Sequence, residues 1–572
     1  MSTLADIQRQ LLVQDMVLTI NAKILLPRVG GYNARPYSSE LGIVELPRPS
    51  EIKFLWRWWM RAILSGVYGG KKKYNELDEE IGKVLGSIRN QSTFSIAVDL
   101  NVDPDTYKRM IEKIELCRKL ICNVIPEALE KFIDQWTSDK DLKNMGIPEI
   151  RLTIPISIEL RSRQWFNTLK NLFKNRFGIN NIKHKLGRAT ISLESSNDLK
   201  NLITKLNMKL NVSINQLTAI YENLVRIGKI PRVRIILQPR KEEGENNKLR
   251  GKLSEKNKKY LKRISEDIAP LIALTDIGEI PIKITIAMNR EHQNSNEKFR
   301  FAIATLLLSL FLGSTGSIAG RGFGSIVVNS INVSEKYKEL LKEDIEKVNK
   351  ILESKSENDL EHRLAEYINY VTKIVKSIYK GDHDIHSKDL KLPEVPSLML
   401  HEYFRLRAIK CEKCRNVIEL LSVIGKATLK SEWKKRIYPN SSNPERKPGK
   451  DIHTWILGLP RRSEETGYYI IEDNQEKPGR RSSAVNFKIF ENRYGERFVL
   501  IYGFISKDWP INKLIHKSKY NNIYKNNINQ SLRGKSDEEI IKEVFENAFN
   551  MVLNIVENCC ARDCCKGGGR FP

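Results

Sequence analysis

Between residues 16 and 333 the chain sets out an order of elements that few folds satisfy. Runs at 16–26, 92–100, 280–288 and 325–333 alternate apolar and polar residues, the period of half-buried strands. Helical runs at 47–64 and 299–312 separate them, so the order reads strand–helix–strand–strand–helix–strand. Helices stacked on one face of an antiparallel sheet bury such elements together, which predicts an α+β, ferredoxin-like sandwich. The second half repeats the order more weakly. "GYYIIED", "AVNFKIF" and "RFVLIYGFI" are strand candidates, and a last helix opens on a capping box, Ser536 to Glu539. Its apolar residues Ile541, Val544, Phe545, Ala548, Val552 and Ile555 fall on one face. The expectation is a duplicated architecture: tandem ferredoxin-like domains at 1–334 and 335–572. The first carries a large insertion at about 101–279, and the second is helical at its start and then degenerate. The boundary is placed in the charged amphipathic stretch 335–380.

A chain of 572 residues is too long for one core, consistent with two or three domains. Its 96 Lys and Arg against 69 Asp and Glu leave a formal charge of +27. An excess of that size points to a polyanionic partner, nucleic acid before anionic membrane, against the plainer reading of a basic soluble protein. Asp6 and Arg9 interrupt the opening residues before an apolar run develops, so no secretory signal is expected. Residues 301–320 are uncharged, but "GSTGSIAG" at their end is too weakly apolar to hold a membrane span. A cytoplasmic chain with no membrane partner is expected.

The stretch "PRPSEIKFLWRWWMRAIL" (47–64) combines three tryptophans with three cations. Ser50 is the expected N-cap, with Pro49 before it and Glu51 in the first turn. Trp56, Trp59 and Ile63 form a stripe suited to burial, with Trp58 on its flank. Lys53, Arg57 and Arg61 recur every fourth residue and form a second stripe, with no acid at the intervening spacings. A cation in the first turn opposes the helix dipole unless an anion is shared with the free N–H groups, and a phosphate would serve. Trp56 and Trp59 are therefore expected in the core and the cations on phosphate.

In "GSTGSIAGRGFGSIVV" the glycines 313, 316, 320, 322 and 324 lie between a helix and a strand. A dinucleotide fingerprint has the reverse order, and the stretch lacks G-K-[ST], so mononucleotide binding is excluded. What remains is a flexible connector, or a loop whose backbone closely approaches another. In the second reading Arg321 pairs a phosphate and Phe323 packs or stacks.

Three stretches together, "RPSEIKFLWRWWMRAI", "VLGSIRNQSTFSIAV" and "LLLSLFLGSTGSIAGRGFGSIVV", resemble motifs of the RAMP superfamily of CRISPR-associated RNA-binding proteins. They most resemble the first-numbered RAMP subunit of the Cmr (type III-B) effector complex. "WILGLPRR" and "RRSSAVNFKIF" resemble a carboxy-terminal RAMP module. The resemblance covers about half the chain, in patches. It implies two RRM-like domains in a ribonucleoprotein with CRISPR guide RNA, target RNA and other Cmr subunits as partners. It also implies a place near the 3′ region of the guide, in antiviral defence. Carried to matching positions, the RNA-binding residues are Lys53, Arg57, Trp58 and Arg61, with Gly320, Arg321, Gly322, Phe323 and Gly324 in the loop. The loop departs from the family in having one arginine where two adjacent ones are common. "RSRQWFNTLKNLFKNRF" (161–177), in the insertion, mixes cations and aromatics as either a single-strand surface or a protein attachment.

Some RAMP folds cut RNA with a histidine near the first helix, but the eight histidines here all lie elsewhere. "HDIH" (His383, His386) is a weak metal pair, and Asp15 lacks a companion carboxylate. A non-catalytic binding subunit is expected. The alternatives are an endoribonuclease that processes precursor CRISPR RNA and a purely structural scaffold. "CEKC" (Cys411, Cys414) has the spacing of half a zinc site, and "CCARDCC" (559–565) would offer a second ligand pair if the tail folds back. Structural zinc and reduced thiols both remain open, and no other cofactor is implied.

Overall fold

The computed structural model describes residues 15–25, 37–38, 40, 42–44, 46–88, 90–140, 143, 149–152, 157–160, 170–171, 173–177, 179, 182–185, 188–193, 195–210, 212–228, 248–249, 254–273, 279–289, 296–316, 319–379, 392–398, 402–414, 416–442, 452–459, 461–463, 466–470, 481–518, 521–524 and 534–561. The chain forms two compact units. One comprises 1–31, 46–101 and 280–572, and the other 32–45 and 102–279. The compact units do not follow a division at 334–335, because both halves of the expected duplication lie in the first. The insertion is a unit of its own, and it takes the hairpin strands Tyr37–Ser38 and Ile43–Val44 with it.

In the first unit the order is β1 (Met16–Leu25), α1 (Pro49–Val67), α2 (Tyr74–Leu85), β2 (Phe94–Leu100), β3 (Glu279–Met288), α3 (Asn296–Leu312) and β4 (Ser325–Val333). The strands form one sheet in the order β4–β1–β3–β2. β1 runs antiparallel to β4 with a bulge at Asn21/Ala22, and β3 runs antiparallel to β2. From Phe301 to Leu312 α3 is buried on every side, which is how a uniformly apolar helix behaves in a core. No described helix is long and apolar enough to cross a membrane.

α4 (Lys342–Leu352) and α5 (Glu357–Ile378) extend the same core, for Tyr367 on α5 donates to the Ala304 carbonyl of α3 at 3.2 Å. On α4 the Asp344 side chain is 0 % exposed, 3.6 Å from Arg300, whose guanidinium also holds Glu343. Burial outweighs that guanidinium and pushes the Asp344 carboxyl up to about 6. Between about pH 4 and 6 the folded chain therefore binds more protons than the unfolded one, and stability falls as pH rises through that window. Asp344→Asn removes the penalty. Its thermal midpoint should exceed the parent's at pH 8, by the equivalent of about 2–3 kcal/mol at most, and match it near pH 4.

The second half contributes β5 (Phe404–Lys410), α6 (Val417–Ala427), β6 (Arg461–Ser463), β7 (Thr466–Ile470), β8 (Val485–Glu491), β9 (Arg497–Phe504), β10 (Leu514–Ser518), β11 (Asn521–Tyr524) and α7 (Asp537–Ala561). β5–β9–β8 form a three-stranded sheet and β6–β7–β10–β11 a separate small one. Among the described residues no fourth strand pairs with the outer edge of β5. Side chains of α5 take its place: the Ala408 and Lys410 N–H groups donate to Glu361 and Glu357 at 2.7 and 2.6 Å. Two carboxylates thereby satisfy an edge that would otherwise invite another strand. The expected capping box of α7 is present, with the Glu539 N–H on Ser536 Oγ at 3.3 Å and the Ser536 N–H on Glu539 at 2.7 Å.

The second unit packs helices Pro104–Lys119, Ile125–Ser138, Ser196–Lys205, Ile214–Gly228 and Glu255–Ala273 with a sheet of five short strands. Phe173 and Phe177 are buried in a cluster with Phe132 and Trp136, so these two aromatics of the 161–177 segment are core rather than strand-binding surface. Residues 161–169 and the predicted strand 231–240 lie outside the described residues.

Candidate nucleic-acid interface

α1 starts earlier than expected. Pro49 occupies its first position, where the missing N–H is no loss, and the Arg48 N–H donates to Glu51 at 3.3 Å. Ser50 is therefore inside the helix rather than its cap. Trp56 and Trp59 are buried as expected, and the Trp56 indole N–H donates to the Ala302 carbonyl at 2.8 Å. Trp58 is half-buried, edge-on to Trp59 and Phe504 at 5.0 and 5.2 Å.

The cationic stripe divides. The Arg61 guanidinium is tied to Asp78 at 2.5 Å and lies over the Tyr74 ring at 5.3 Å, so the expectation that it is uncompensated is corrected. Its acid comes from α2, 17 residues further on. Arg57 donates to the Gly86 carbonyl, at 2.9 Å from one nitrogen, and meets no acid among the described residues. Lys53 is half-buried and has no hydrogen-bond or ion-pair partner among them. Burial, with Arg57 nearby, lowers its pKa. Two of the three cations thus retain unneutralised charge.

The loop residues turn the other way. Arg321 is 7 % exposed, and its guanidinium donates to the carbonyls of Val485 at 3.1 Å and Leu457, over the Phe487 ring. Phe323 is 1 % exposed. The expectation that these two meet phosphate and base is corrected, since both are buried, Arg321 against the chain's own second half. The alternative expectation, close approach of backbones, is what the loop achieves. Arg321 bridges Phe487 in parallel, and the Phe487 N–H donates to the Gly320 carbonyl at 3.2 Å. Gly320 is crowded by Asn486 and Gly322 by Ile424 and Leu421 of α6. Gly324 has φ +63°, and a Cβ there would stand 2.1 Å from the Thr315 carbonyl oxygen, so no side chain fits.

Between α1 and the start of this loop lies a groove of ≈ 400 Å³, walled by Arg48, Phe54 and Trp58 on one side and Thr315, Gly316 and Ala319 on the other. A second, of ≈ 520 Å³, runs past Phe54, Arg57, Ser87 and Ile88. Phe54 stands in the wall shared by both and is 68 % exposed. Sequence reading passed over it in favour of the tryptophans. The available signal was its helical offset from Trp56, Trp59 and Ile63, which puts it outside the buried stripe. Exposed aromatic surface beside unneutralised cations, along an open groove, can stack a base while the cations hold the backbone. His383 and His386 lie outside the described residues, and Asp15 is 3.6 Å from Lys336.

Over 331 residues the chain is 22 % identical to the CRISPR system CMR subunit Cmr1 of Saccharolobus solfataricus. The chain resembles Cmr1. The match spans about half of each protein, 56 % of this chain and 56 % of that Cmr1. No family model matches the chain. Among solved structures, a chain of a type III-B Cmr-beta complex bound to cognate target RNA and AMPPnP in the presence of single-stranded DNA aligns over 94 % of this chain and 100 % of its own, at 17 % identity and a TM-score of 0.48. The apo crystal structure of Cmr1 from Pyrococcus furiosus aligns over 86 % and 89 %, at 13 % identity and a TM-score of 0.34.

Proposed function

We propose that the chain is a non-catalytic RNA-binding subunit of a type III-B CRISPR ribonucleoprotein. In this reading it holds guide and target RNA beside other Cmr subunits in the cytoplasm, on tandem ferredoxin-like modules of which the second is degenerate. The observation that carries the reading is the trio Lys53, Phe54 and Arg57: two cations without an acidic partner among the described residues, next to an exposed ring on an open groove. The charge of +27 and the resemblance to Cmr1 support it. So does the β4–β1–β3–β2 strand order, which is that of a ferredoxin-like sheet.

Fluorescence anisotropy with single-stranded RNA tests it. Affinity should fall linearly on a log–log salt plot, and Lys53→Ala with Arg57→Ala should flatten the slope by about 1–2 and weaken binding roughly 10- to 100-fold. Arg61→Ala, already neutralised by Asp78, should change the slope far less. Unchanged binding by the double variant overturns the site. Specific cutting of repeat RNA by the purified chain overturns the non-catalytic assignment.

A further inference from the structure

Among the described residues no large apolar side chain is more exposed than Ile88, which stands wholly in solvent, and Phe54 follows it. The two line the same groove, Phe54 from α1 and Ile88 from the loop that follows α2, and Arg57 lines it with them. Packing gives no reason for an isoleucine left in water, yet the loop that presents it is firmly held. Gly86, at φ +83°, turns the chain out of α2, and a Cβ there would stand 2.7 Å from the Ser92 nitrogen. The Ser87 N–H donates to the Asn90 carbonyl at 2.7 Å, and the Asn90 N–H returns to Ser87 Oγ at 3.1 Å. The Thr93 N–H reaches the Val84 carbonyl at 3.0 Å. Arg57 donates to the Gly86 carbonyl, so a cation of α1 also fixes the loop.

We propose that Phe54 and Ile88 hold one unpaired RNA base between them, the ring stacked on one face and the isoleucine against the other, with Arg57 on the adjoining phosphate. This rests on the RNA-binding reading of α1. It adds Ile88 to the site and names the strand the site takes: a single one, because a base covered on both faces by side chains has left its own stack.

The chemistry of the groove selects this occupant. Its apolar walls fit a flat ring, and its charge fits the backbone that carries the ring. Arg57 meets no acid among the described residues, and Asp78, the carboxylate that also lines the groove, is taken by Arg61 at 2.5 Å. An apolar protein segment would cover the walls and leave the guanidinium unanswered. A duplex would answer the charge and offer no free base face.

A short oligoadenylate carrying 2-aminopurine at internal positions tests this, since the probe is dim when stacked between neighbouring bases and brightens when drawn out. At saturating full chain its emission should rise. Ile88→Ala should remove the rise and weaken binding roughly 3- to 30-fold, with the parent's salt slope and thermal midpoint, and Ile88→Met should restore rise and affinity. The parent should also prefer the single strand to a duplex of the same sequence, and Ile88→Ala should narrow that preference. Absence of a rise with the parent overturns the proposal, as does a rise that Ile88→Ala leaves intact. A lowered thermal midpoint of Ile88→Ala overturns it too, by giving the side chain a packing role. If Lys53→Ala with Arg57→Ala still flattens the salt slope, the strand lies on α1 and only the base clamp falls. Unchanged binding by that double variant removes the site as a whole.

Discussion

Lys488→Met should destabilise the first unit by about 3–5 kcal/mol, read as a shift of the denaturant midpoint. Lys488 is 0 % exposed, and its ammonium donates to the carbonyls of Leu310 at 2.6 Å, Gly313 at 2.6 Å and Ile326 at 2.7 Å. Three N–H donors meet three acceptors, two of them at the C-terminal end of α3, where the helix dipole is negative. Burial pulls the Lys488 pKa well down, and the carbonyls oppose that pull by holding the charged form. Methionine fills nearly the same volume, so the loss comes not from a cavity but from three carbonyls left buried without donors. The same residue ties β8 of the second half to α3 and β4 of the first, so the loss should be felt across both halves. A methionine variant within about 1 kcal/mol of the parent would show that these carbonyls find other donors and that the interlock is dispensable.

Phe54→Ala should leave the thermal midpoint unchanged and weaken single-stranded RNA binding roughly 5- to 100-fold. At 68 % exposure the ring contributes little to the core, so a fall in stability would assign it a packing role and remove it from the interface. Stacking of a base on an aromatic side chain is worth about 1–3 kcal/mol by alanine substitution, which sets the range. Stacking depends weakly on salt, so the Phe54 variant should keep the parent slope while Lys53→Ala with Arg57→Ala flattens it. Equal affinity of the Phe54 variant and the parent, with both folded, would move the strand away from this groove.

Local periodicity made much of the fold legible. The four strands and two helices of 16–333 stand where alternation and helix spacing place them, and Trp56 and Trp59 are buried because they share one helical stripe. The capping box at Ser536 needs only residues three apart, and the Cys411–Cys414 turn likewise. Other residues were misread because their partners are distant in the chain. Arg61 is neutralised from 17 residues away, and Arg321 is engaged by carbonyls 136 and 164 residues away. The outer edge of β5 shows the same limit, for among the described residues it is met by Glu357 and Glu361 of a helix whose charge looked like plain surface.

By itself, then, the sequence determined the order of elements, the buried stripe of α1 and the excess of positive charge, since each is set by neighbours within a few positions. Tertiary structure alone decided which cations stay unneutralised, that Arg321 of the glycine loop joins two halves rather than faces a phosphate, and that 102–279 forms a body with 32–45. A charge is neutralised or left open by what the fold brings within a few ångströms, and residue spacing carries no record of contacts made hundreds of positions away.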